Sequence, residues 1–168
     1  MNLHKPPRAS RIRPALLWPS ILGSVLLQAT LPAIFSLAKL FALPLLVIIY
    51  FSAARQDKVF GIFLGTGLGL LQDALSHSYL GLMGMVGAVD GYLAASAGAK
   101  FDVDRSPARV ALIGGLVILQ NVFAAFLRHA LLEIPYAFQT LRWTGSAFLN
   151  IALGLVLFRF FDRFQRTA

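Results

Sequence analysis

Six apolar runs, separated by short segments that hold most of the cations, set the limits on what this chain can fold into. They extend over about Pro14 to Phe35, Leu40 to Ala54, Val59 to Leu75, Tyr79 to Ala99, Val110 to Leu132 and Trp143 to Phe161. About 20 apolar residues of helix match the hydrocarbon core of a bilayer, where only helices and closed barrels satisfy their own backbone groups. The runs are continuous rather than alternating, which predicts helices. The expected fold is an all-α integral membrane protein of about six transmembrane helices. One domain at 14–161 follows a basic tail at 1–13 and precedes a short tail at 162–168. The second run is short and contains Pro44, and Pro19 and Pro32 predict kinks in the first.

Composition closes off the soluble alternatives. Hydrophobic residues make up 58% of the chain and charged residues 13%, whereas a soluble domain carries about a quarter charged residues. Mean hydropathy is +0.74. Cysteine is absent, which excludes disulfides, thiolate metal sites and a cysteine nucleophile. The net charge of +8 points to nucleic acid only if the cations share one soluble face. Here they lie between apolar runs, so no nucleic-acid partner is expected. Lys5, Arg8, Arg11 and Arg13 ahead of an apolar run resemble the start of a secretory signal. No polar mature domain follows, so the segment reads as an uncleaved first helix.

The cations also set an orientation, because Lys and Arg are retained on the cytoplasmic side. With the N-terminus inside, the inner set is Lys5, Arg8, Arg11, Arg13, Arg55, Lys58, Lys100, Arg105, Arg109, Arg159, Arg163 and Arg166, and only Lys39, Arg128 and Arg142 remain outside. Both termini are thus expected in the cytoplasm. Tyr136, Phe138 and Trp143 suit an outer headgroup layer, and the aromatic and cationic tail from Phe158 to Arg166 suits contact with anionic membrane lipid.

Small and polar residues inside the runs mark candidate contacts. Gly61, Gly65 and Gly69 recur every four residues in the third run, as do Gly87, Gly91 and Ala95 in the fourth. Such stripes let helix backbones approach closely, either within one bundle or against a second membrane protein. Asp73 lies about 21 Å along its helix and Arg128 about 27 Å along the fifth, a spacing that predicts an ion pair. His77, one turn beyond Asp73, is the competing partner. Asp90 falls near the middle of its run, and Gln28, Gln120, Asn121 and Asn150 fall at similar depth. Together they predict a buried polar layer, read either as a hydrogen-bonded cluster that fixes helix register or as a proton or solute site.

Catalytic constellations are lacking. His4, His77 and His129 do not stand at metal-ligand spacing, and the glycines from Gly61 to Gly69 are not followed by a phosphate-loop Lys. Asp73, Ser76 and His77 are neighbours in sequence, but a nucleophilic triad must converge on an oxyanion site. The expectation is a protein that is not an enzyme and holds no metal or cofactor.

A longer pattern carries a resemblance. The stretches PLLVIIYFSAAR at 44–55 and GIFLGTGLGLLQDALS at 61–76, then Leu80 with Gly81 and GYLA at 91–94, resemble the rod shape-determining protein MreD family. The order of Pro44, Tyr50, the glycine-rich helix, Asp73 with Ser76, Gly81 and Gly91 with Tyr92 carries it rather than any single motif. The resemblance implies a non-enzymatic subunit of the bacterial cell-elongation complex in the inner membrane. Its implied partners are MreC above all, then the actin-like MreB, the glycosyltransferase RodA and a monofunctional transpeptidase. It also implies a fold like the S-components of energy-coupling-factor transporters, so a small-solute, vitamin-type transport subunit is the alternative. Two positions depart from the family pattern: Leu45 where an acid is frequent, and Tyr79 where a proline is frequent.

Overall fold

The computed structural model describes residues 14–34, 41–76, 79–101, 106–132 and 140–166. These residues form six helices: α1 (Pro14–Ile34), α2 (Leu43–Arg55), α3 (Lys58–Leu75), α4 (Leu82–Lys100), α5 (Ser106–Leu132) and α6 (Thr140–Arg166). Four segments, Lys58–Leu75, Leu82–Lys100, Pro107–Leu132 and Thr144–Arg163, are long and apolar enough to cross a membrane. Leu17–Leu31 and Leu43–Arg55 are shorter apolar helices.

The second helix is the centre of the bundle. Its 13 residues span about 20 Å, too little for the roughly 30 Å of hydrocarbon. Every residue from Leu43 to Ala53 is buried, and α2 touches all the other helices. The surrounding contacts run from α1 to α3, α4, α5 and α6 in turn, while α1 and α6 do not meet among the described residues. Leu45, Leu46, Ile49 and Phe51 pack with Ile21 and Val25 of α1, Leu64 and Leu68 of α3, Ala94 of α4, Ile113 and Val117 of α5 and Phe158 and Phe161 of α6. A smaller cluster of Leu82, Val86 and Ala124 joins α4 to α5.

Helix ends differ from the sequence expectation where local chemistry decides them. Helix α2 starts at Leu43, and Pro44 falls in its first turn, where the missing N–H breaks no helical bond. Gln56 closes the helix in a left-handed conformation at φ 60°, and Asp57 opens α3 by accepting from Val59 N at 3.0 Å and Phe60 N at 3.2 Å. Helix α4 starts at Leu82 rather than Tyr79 because Gly81 takes φ 96°, a conformation that favours glycine. Helix α6 continues to Arg166, so most of the tail expected at 162–168 is helical.

Helices α3 and α4 form the tightest pair. A methyl group at Gly61 would collide with the carbonyl of Gly91, one at Gly65 with that of Gly87, and one at Gly69 with that of Met83. The residue numbers of each pair sum to the same value, so the register is antiparallel and unbroken. The two stripes therefore fill each other, and neither is open to a second protein. Helix α2 makes a similar approach where Ala53 meets Gly98. Gly67, on the opposite side of α3, faces open space. Gly65→Ala should accordingly destabilise the protein by about 1–3 kcal/mol as the backbones separate. Gly67→Ala should be neutral or stabilising, since alanine is the better helix former; thermal unfolding in detergent compares the two.

Candidate functional site

Three polar side chains inside the bundle, Gln28, Asn150 and Asp73, meet the starts of helices, where backbone amides have no partner within the helix. At the head of α2, the Ala42 amide donates to Asn150 Oδ1 at 2.8 Å and the Leu43 amide donates to Gln28 Oε1 at 3.1 Å. Asn150 comes from α6 and is fully buried. Its Nδ2 donates to Ser146 O at 2.8 Å and to Ser146 Oγ at 3.2 Å, which fixes the amide with its oxygen towards α2. Asn150 lies ten residues, about 15 Å, inside the start of α6, and Gln28 lies about 9 Å inside the end of α1. The head of α2 is thus recessed into the bundle.

Asp73 does the same for α4. It is 1% exposed, and its Oδ2 accepts from the amides of Gly81 and Met83, both at 2.9 Å. An acid on α3 therefore caps its neighbour, and a carboxylate suits the positive end of a helix. The pairing expected with Arg128 is not present: Arg128 is exposed on α5 and does not belong to a buried polar layer. The short α3–α4 connection brings backbone donors to Asp73 before any side chain from α5. The competing partner, His77, lies outside the described residues.

The other expected members of the layer disperse. Asn121 is half-buried and its Nδ2 donates to Val117 O at 2.8 Å within its own helix. Gln120 is half-buried. Asp90 is buried, and its Oδ2 makes no hydrogen bond. Helices α2 and α4 run in the same direction, so the contact of Ala53 with Gly98 places Asp90, eight residues earlier, level with Leu45 in the first turn of α2. Among the glycines, Gly81 serves backbone conformation, with open space where a side chain would stand. Tyr92 is exposed on α4 and lies under the Lys58 ammonium.

A second polar cluster was not singled out by sequence reasoning. The Tyr50 hydroxyl donates to Asp162 Oδ1 at 3.0 Å, and the Arg109 guanidinium meets Asp162 Oδ2 at 2.8 Å. Three helices, α2, α5 and α6, are joined at one end of the bundle. Tyr50 also packs against the rings of Phe158 and Phe161, with centroids 5.0 and 4.8 Å away. The available signals were a tyrosine within the apolar core of α2 and a single acid among the cations that end α6.

These packed helices account for an extended family pattern rather than an isolated motif. The family model for the rod shape-determining protein MreD matches residues 9–167. The chain belongs to the MreD family. It is a multi-pass, membrane-embedded member, and MreD-family proteins are non-enzymatic scaffolds. Neither a curated protein nor a solved structure matches the chain. Among the described residues, no group of three or more metal-ligating side chains comes together.

Loss of a cap should cost more than loss of its charge. Asp73→Ala should lower stability by about 0.5–2 kcal/mol, while Asp73→Asn, which keeps an acceptor oxygen, should lose less. Equal losses in denaturation would remove the capping role. Tyr50→Phe and Asp162→Ala should be non-additive by about 0.5–3 kcal/mol when combined, because each removes the same bond; a double-mutant cycle reads this directly.

Proposed function

We propose that this MreD-family protein is an inner-membrane subunit of the cell-elongation complex, where it scaffolds or regulates peptidoglycan synthesis with MreC as its principal partner. The family match over residues 9–167 carries this reading. MreB, RodA and a monofunctional transpeptidase complete the proposed assembly, and a fold like the S-components belongs to the same proposal. Both termini lie in the cytoplasm in this reading, on the strength of the loop cations. The Tyr50, Arg109 and Asp162 cluster then sits at the cytoplasmic end and the Asp73 cap at the outer end.

The packing supports a role exercised through the bundle's outside. The glycine stripes and the caps at Gln28, Asp73 and Asn150 are used internally, to build a rigid frame around α2. Partners then meet outward faces such as that of α1, where Trp18, Leu22 and Leu26 are exposed. Depletion in a rod-shaped host should round the cells, and gentle detergent purification should recover MreC. Normal rods together with a purified protein free of MreC would defeat the proposal.

A further inference from the structure

Three exposed cations collect where α2 ends, α3 begins and α4 ends: Arg55, Lys58 and Lys100. The approach of Ala53 to Gly98 sets Arg55 level with Lys100. Among the described residues one acid, Asp57, stands with them, and it is already engaged. Its Oδ1 accepts from the first amides of α3, and its Oδ2 is 3.9 Å from Arg55 Nε. Counted over the described residues, Arg55, Lys58 and Lys100 against Asp57, the corner keeps an excess of positive charge.

Two of these cations do not extend freely into water. The Arg55 guanidinium lies 4.2 Å from the centroid of Phe60, and the Lys58 ammonium lies 5.5 Å from that of Tyr92 on the adjacent helix. The α3–α4 register places Tyr92 level with Phe60, two residues deeper than Lys58. Lys58 is thus turned back along the bundle, opposite to the course of a lysine that reaches for solvent. Cation–π attraction holds both charges beside apolar surface. Directly below, α3 presents Val59, Ile62 and Phe63 outward, with Phe63 74% exposed.

A held pair of cations above an exposed apolar wall matches an amphiphile with an anionic head. We propose that the corner formed by Arg55, Lys58 and Lys100 binds the headgroup of an anionic phospholipid, whose acyl chains lie along the outward face of α3. The inference rests on the membrane orientation given above, which places this corner at the cytoplasmic headgroup layer. Phosphate oxygens meet the Arg55 and Lys58 donors, and charge-assisted bonds of this kind are favoured where water is depleted. The tether over Tyr92 reduces the rotamer freedom that Lys58 loses on binding.

The test uses the full chain in nanodiscs of phosphatidylcholine alone or mixed with phosphatidylglycerol. The wild-type Tm should rise in the anionic discs through binding linkage. The double substitution R55Q/K58Q should lose most of that rise, and R55K/K58R should keep it. The control R128Q/R159Q removes equal charge elsewhere and should also keep the rise. Equal wild-type Tm in the two discs would overturn the site, as would equal loss in both charge-removing doubles, which assigns the effect to diffuse attraction. Glycerol phosphate giving the same rise in phosphatidylcholine discs would overturn the choice of a lipid. Cell shape on depletion is a separate readout, so failure here is distinguishable from failure of the elongation-complex reading.

Discussion

A helix that begins inside a membrane protein must find acceptors for its first amides, and most of this structure is arranged around that requirement. Water is scarce at such depth, and each unsatisfied group costs several kcal/mol by order of magnitude. Helix α2 starts below the ends of α1 and α6, and its Ala42 and Leu43 amides are met by Asn150 and Gln28. Pro44 supplies no amide, which reduces the demand. Helix α4 has the same need and is served by Asp73 of α3. Three polar residues from three helices thus perform one physical task.

Around those caps, dispersion sets the shape. No hydrophobic gain drives helices together in lipid, so close backbone approach has to hold them. The Gly61, Gly65 and Gly69 stripe against Gly87 and Gly91 makes α3 and α4 a single stiff hairpin. The largely apolar α2 packs beside it, with Gly98 admitting the backbone at Ala53. At the other side, Tyr50 and Arg109 converge on Asp162 and tie the ends of α5 and α6 to the same central helix. One end of the bundle is therefore fixed by caps and the other by a charged cluster.

The helices were legible in the sequence because continuous apolar runs have one economical solution in lipid. The glycine stripes were legible as contacts for the same reason. Partners were harder to read. Asp73, Gln28 and Asn150 stood out as buried polar residues, but pairing them from depth favours other side chains, such as Arg128 for Asp73. Their real partners are backbone amides, which every residue but proline offers and no sequence pattern marks. Asp90 stood out equally, and it remains buried with an oxygen that makes no hydrogen bond. The Tyr50, Arg109 and Asp162 cluster depends on how three helix ends meet, and residues 112 positions apart carry no local signal of that meeting.

The recessed head of α2 also imposes an order on biogenesis. Its amide at Ala42 is matched by Asn150, 108 residues later in the chain. A ribosome has finished α3, α4 and α5 before that acceptor exists, so the nascent protein holds its central helix with one end incomplete. Helix α6 is then the closing piece of this interior, and assembly of the centre waits until it has been made.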